Sequence, residues 1–146
     1  MKKVIAIWGS QNIGKSSNVL ALAREMMRVY PAHKVLFTSK PITSLSIDFR
    51  LILEINHKVI AFESMGDPNS GLNKRLPEII SLYNPDVLIC TCRSRGYTVY
   101  DVENAAASMG AEIIWSAPYQ CKIDQITLND LKATHLLDVM VKLGLI

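Results

Sequence analysis

The residues of this chain best suited to chemistry stand close to its start, in the run Gly9-Ser10-Gln11-Asn12-Ile13-Gly14-Lys15-Ser16. Two glycines, then a lysine and a hydroxyl residue, compose a loop able to wrap a polyphosphate. Glycine lets the backbone come close enough for successive N–H groups to point at phosphate oxygens. A helix starting at the end of the loop adds unsatisfied N–H groups and the positive end of its dipole. Lys15 would bridge the outer phosphates and the Ser16 hydroxyl would ligate Mg²⁺, with Gly9 through Ser17 as the ligand-binding positions.

Two further groups could take part. The apolar run Val59-Ile60-Ala61-Phe62 ends in Glu63, a carboxylate placed to hold Mg²⁺ or orient an attacking water, with Asp67 as the fallback. The alternative for Glu63 is a strand-end carboxylate in solvent. Arg93 and Arg95 follow the apolar run Val87 to Cys92. Guanidinium groups there could neutralise charge on a transferred phosphoryl group or clamp an acceptor's phosphate; the alternative is a solvated loop. Residues 116–120, with Pro118 and Tyr119, are a candidate surface for stacking on a base.

Positioning such residues takes an alternation of strands and helices, and the sequence reads that way. Val4 to Trp8 is a strand, and from Lys15 the apolar positions Val19, Leu22, Ala23, Met26 and Tyr30 recur at helical spacing until Pro31. Lys34 to Thr38 is a second strand, followed by a hydroxyl-rich loop from Ser39 to Ser46. Phe49 to Ile55 and Lys58 to Glu63 flank Asn56-His57, which predicts a hairpin and one antiparallel strand. A short helix with Pro77 at an early position is expected to close at Asn84-Pro85-Asp86. The strand Val87 to Cys92 then precedes a helix opened by Thr98 and stopped by Gly110. Ile113 to Ser116 is the last strand, and Thr127 with Asp130 signals the start of the last helix. The expectation is a single α/β domain over residues 1–146, three layers deep, with a mainly parallel sheet and one hairpin.

The segment Gly9 to Ser16, between a strand and a helix, resembles the Walker A loop of the P-loop NTPase superfamily; the resemblance covers Val4 to about Ala23. It implies a P-loop NTPase-like fold, binding of a nucleoside triphosphate, a Mg²⁺ ion and chemistry at the γ-phosphate. The order of hydroxyl-rich loop, hairpin and Glu63-Ser64-Met65-Gly66 loosely resembles switch one, hairpin and switch two of small GTPases, with Thr38, Thr43 and Ser44 as candidate second Mg²⁺ hydroxyls. The guanine-selecting N/T-K-x-D motif is missing, because Cys90-Thr91-Cys92-Arg93-Ser94-Arg95-Gly96 stands in its place.

Composition narrows the classes. Net charge is +3 with no long basic run, so nucleic acid is not indicated. Met1-Lys2-Lys3 is followed by only five apolar residues, Val4 to Trp8, before Gly9, too few for a signal-peptide core or a membrane span, and a cytoplasmic protein is expected. Three cysteines cannot close a disulfide framework, and three separated histidines, His33, His57 and His135, form no metal or triad pattern. The resulting expectation is a Mg²⁺-dependent nucleoside triphosphatase, with ATP ahead of GTP, in which binding or hydrolysis moves loops 39–47 and 64–71. A small kinase passing the γ-phosphate to a nucleotide or metabolite, and a non-catalytic nucleotide-binding module acting on a protein partner or a second copy, are the alternatives.

Overall fold

A computed structural model describes residues 1–10, 13–65, 71–94 and 96–146. Its elements are β1 (Lys3–Trp8), α1 (Lys15–Val29), β2 (Lys34–Thr38), β3 (Arg50–Ile55), β4 (Lys58–Glu63), α2 (Leu72–Tyr83), β5 (Val87–Cys92), α3 (Tyr97–Met109), β6 (Glu112–Ser116) and α4 (Gln125–Lys142). The strands form one mixed sheet in the order β2-β3-β4-β5-β1-β6. β4, β5, β1 and β6 are parallel to one another, while β3 runs against both of its neighbours.

The alternation of side chains along a strand divides the core in two. Ile5 and Ile7 of β1 pack with Phe62, Ile89, Val19, Leu22 and Met26, and with Leu136 and Met140 of α4. Val4 and Ala6 face the other way, onto Leu88, Cys90, Leu72, Leu76, Val102 and Ala105. α1 and α4 thus cover one face and α2 and α3 the other. β5, the run VLICTC, is buried at every position, as a parallel strand covered on both faces must be.

β1, β3 and β6 start one residue from the expected position, and three helix starts differ from the sequence expectation. α2 begins at Leu72, so Pro77 lies inside the helix rather than near its start. Burial of Leu72, Leu76 and Ile79 along one face draws in the extra turn and offsets the backbone hydrogen bond that proline cannot make. α3 starts at Tyr97, and the Thr98 hydroxyl accepts the Arg93 backbone N–H at 2.9 Å instead of capping its own helix. α4 starts at Gln125, with Asp124 in the flanking position and Thr127 Oγ1 donating to Asp124 Oδ1 at 2.8 Å. Among the described residues no helix is long and apolar enough to cross a membrane.

The hairpin joins β3 to β4 in register, Ile55 opposite Lys58, through two residues that both carry positive φ, 50° at Asn56 and 65° at His57. That is the backbone of a type I′ turn, whose twist matches the flanking strands. Asparagine and histidine enter this region more readily than most residues, yet a Cβ there still costs more than glycine's hydrogen. His57→Gly is expected to stabilise the fold by about 0.5–1 kcal/mol, the relief of strain being partly offset by glycine's greater freedom in the unfolded chain. Thermal unfolding should show a midpoint raised by about 2–4 °C, and a lowered midpoint would refute the account of the turn.

Candidate functional site

β1 and β5 lie side by side and end together, Trp8 opposite Cys92, and the Gly9 N–H donates to the Cys92 carbonyl at 3.3 Å. From these adjacent carboxyl ends the chain departs in opposite directions, into α1 on one face and α3 on the other. A crevice results at the point where parallel α/β sheets place ligands.

Residues 9, 10 and 13–16 lie at these strand ends; Gln11 and Asn12 fall outside the described residues. Gly9 has φ of 153°, and a Cβ there would come within 2.0 Å of Ile13 Cδ1, so a side chain at position 9 would force Ile13 aside. Gly14, at φ 86°, is the residue flanking α1, and no side chain caps the helix. The first turn that follows, Lys15-Ser16-Ser17-Asn18, contains no acid. The first N–H groups of an α-helix have no partner within the helix and lie at the positive end of its dipole.

Lys15 occupies this electropositive end with only 7% of its surface exposed, and its ammonium donates to the Gly9 carbonyl at 2.9 Å. At the end of β5, burial raises the Cys92 thiol to about 11, with the charge of Lys15 acting in the opposite direction. Ser16 Oγ donates to the Ser64 carbonyl at 3.0 Å, an oxygen that also accepts from Thr91 Oγ1 at 2.9 Å. Ser64 is itself tied to the start of β3: its N–H donates to the Phe49 carbonyl at 3.1 Å, and its hydroxyl accepts the Phe49 N–H at 2.8 Å. Sequence reasoning passed over Ser64 and Thr91. Thr91 stood inside an apolar strand, and Ser64 acts through its carbonyl, which has no signature in residue type.

Glu63 lies elsewhere. It pairs with Cys90, one pleat back from the ends of β1 and β5, and its side chain points to the α2 face, opposite α1. The carboxylate is wholly buried. It accepts from Arg75 Nε at 2.8 Å and Nη2 at 3.2 Å, and from Arg50 Nε at 3.3 Å and Nη2 at 3.2 Å. Arg50 also pairs with Glu78. Burial works against the Arg50 charge, yet its bond to Glu78 and the attraction of Glu63 together raise its pKa. Both oxygens of Glu63 are engaged by guanidinium groups, and the structure does not bring it together with Lys15 and Ser16.

Arg93 is half-buried at the carboxyl end of β5, beside the start of the loop; Arg95 and Asp67 lie outside the described residues. Thr38 ends β2, with three strands between it and β1, and its hydroxyl donates to the Lys40 carbonyl at 2.5 Å. Thr43 and Ser44 form a short 3-10 turn with Ile42. Tyr119 is held against α4, its hydroxyl 2.9 Å from His135 Nδ1 and its ring under Lys132 Nζ at 4.5 Å. Among the described residues no three His, Cys, Asp or Glu side chains gather as a metal site. No protein-family model, curated protein or solved structure matches the chain.

Removing one partner of a buried ion pair leaves the other charge uncompensated. Glu63→Gln is therefore expected to lower stability by about 3 kcal/mol, read as a reduced urea midpoint with unchanged slope. An unchanged midpoint would show that the Arg50–Glu63–Arg75 cluster does not hold β4 to α2.

Proposed function

We propose that the chain is a Mg²⁺-dependent nucleoside triphosphatase of the P-loop kind, with ATP the expected nucleotide. One observation carries this reading: the buried ammonium of Lys15 stands at the uncapped, electropositive start of α1, beside the Ser16 hydroxyl, in the crevice between β1 and β5. Gathering cationic and N–H groups at one point is unfavourable by itself, and a polyphosphate relieves it.

On this reading Lys15 exchanges the Gly9 carbonyl for phosphate oxygens. Ser16 releases the Ser64 carbonyl, which keeps the Thr91 hydroxyl, and turns toward the metal. Ser16 would hold Mg²⁺ through its hydroxyl, and the ion would supply charge stabilisation to the phosphates. Catalysis is then mainly positioning and electrostatics. Arg93 follows β5 at the same end of the sheet and is the arginine proposed to act on the γ-phosphate. Loss of the Ser16 bond reaches Phe49 through Ser64, and this supports coupling between ligand and the segments 39–47 and 64–71. Glu63 acts in this proposal as a structural anchor between β4 and α2.

The test incubates the protein with labelled ATP or GTP and Mg²⁺ and resolves the products. Free phosphate without any acceptor is expected; diphosphate formed only with an acceptor indicates a kinase, and binding without turnover a nucleotide-dependent module. Lys15→Ala should weaken triphosphate binding on the order of 100-fold, equivalent to one or two charged hydrogen bonds. The fold should remain intact, because the ammonium touches the loop rather than the apolar core. Equal affinity in the mutant, measured by titration calorimetry, would remove the phosphate-loop assignment.

A further inference from the structure

Within β5, the run Val87-Leu88-Ile89-Cys90-Thr91-Cys92, every position is buried and Thr91 brings the one hydroxyl. Thr91 pairs with Ile7 of β1, and its side chain follows that of Ile89 onto the face covered by α1. Only 1% of the residue is exposed, and a hydroxyl so enclosed is unfavourable unless it has a partner. Its partner is the Ser64 carbonyl at 2.9 Å, the same oxygen to which Ser16 Oγ donates at 3.0 Å. Ser64 is equally enclosed, so this carbonyl is shut off from solvent and both of its lone pairs are taken by the two hydroxyls. Glu63, one residue earlier, is engaged by Arg50 and Arg75 on the opposite face, and the hydroxyl proton of Ser16 therefore goes to a carbonyl rather than to an acid.

We propose that Thr91 is a positioning residue that makes Ser16 available to the metal. The inference rests on the phosphate-loop reading and adds to it the residue that governs its Mg²⁺ dependence. A buried carbonyl that loses its last donor carries the full cost of desolvation, whereas one that loses the second of two donors keeps a partner. With Thr91 in place, Ser16 can leave Ser64 and the carbonyl stays satisfied. With that hydroxyl removed, Ser16 becomes the last donor to the Ser64 carbonyl among the described residues, and turning it toward Mg²⁺ leaves a buried oxygen with none. Thr91 thus acts through Ser64 and not on the ligand itself. Its surroundings suit a fixed donor: β5 lies between β4 and β1, and the Ser64 N–H and hydroxyl are both tied to Phe49. Neither end of the Thr91–Ser64 bond has to move when Ser16, half-buried in the first turn of α1, does.

The test titrates the wild type, Thr91→Val and Thr91→Ser with ATP by calorimetry, in Mg²⁺ and again in EDTA. Thr91→Val keeps the shape of the side chain without its hydroxyl. It should weaken binding in Mg²⁺ about tenfold, the cost of leaving one buried carbonyl without a donor. Binding in EDTA should be unchanged, because Ser16 then keeps its bond to Ser64. Thr91→Ser retains the hydroxyl and should restore the wild-type affinity in Mg²⁺. If the valine variant does not fold, Thr91→Cys takes its place: its thiol is a weaker donor, and an intermediate loss in Mg²⁺ with none in EDTA is expected. Equal losses in both solutions would show that Thr91 merely supports the fold, and full affinity of the valine or cysteine variant in Mg²⁺ would show that Ser16 does not depend on it. Either result overturns the proposal and leaves the phosphate loop standing, as does a wild type that binds ATP equally well with and without Mg²⁺. Failure of the wild type to bind ATP in either solution overturns the phosphate-loop reading as well.

Discussion

A cation held at the positive end of a helix is the constraint around which this molecule is organised. Lys15 is nearly enclosed, α1 begins on a left-handed glycine with no side-chain cap, and no acid stands in the first turn. Ordinary helix starts carry Asp, Ser or Thr caps and acidic first turns, which satisfy N–H groups and oppose the dipole. The described starts of α2, α3 and α4 likewise lack a side-chain cap bond and a first-turn acid, and what sets α1 apart is the nearly enclosed cation at its start. Such an arrangement is suited to an anion with several oxygens, and the glycines at positions 9 and 14 give the backbone bends that other residues rarely adopt.

The sheet fixes where that constraint acts. Because β1 and β5 end level and send their helices to opposite faces, the loop after β1 and the residues after β5 share one crevice. Ser64 adds the third wall. Its carbonyl joins Ser16 to Thr91, and its own N–H and hydroxyl fasten the end of β4 to Phe49 at the entrance of β3. One pleat back, Glu63 locks the same strand to α2 through two arginines. A strand end fixed this firmly on its far face can give up one hydrogen bond on its near face without coming loose, and the proposed exchange at Ser16 requires that.

Much of this was legible in residue order. Strict apolar runs marked β4 and β5 at their observed bounds, and Asn56-His57 marked the hairpin although neither residue is glycine. The loop from Gly9 to Ser16 stands out in the sequence because the phosphate contacts proposed for it depend on residue type at fixed spacing. Glu63 was harder to read. A carboxylate at the end of an apolar strand looks the same whether it faces a metal or two arginines, and Arg50 and Arg75 stand 13 and 12 residues away in sequence. The starts of α3 and α4 moved because Thr98 bonds Arg93 and Asp124 engages Thr127, local exchanges that propensity does not resolve. The approach of Asn129 to Gly14 is a product of tertiary packing, since α4 follows all six strands in the chain.

Amide hydrogen exchange followed by mass spectrometry, with and without a slowly hydrolysed Mg²⁺–nucleoside triphosphate, tests the central claim most directly, because it reports where the ligand is felt. The account places the strongest protection in peptides covering residues 9–18, with a change in those containing Ser64 and none from nucleoside alone. Protection that leaves 9–18 untouched, or that persists there unchanged in Lys15→Ala, would contradict it.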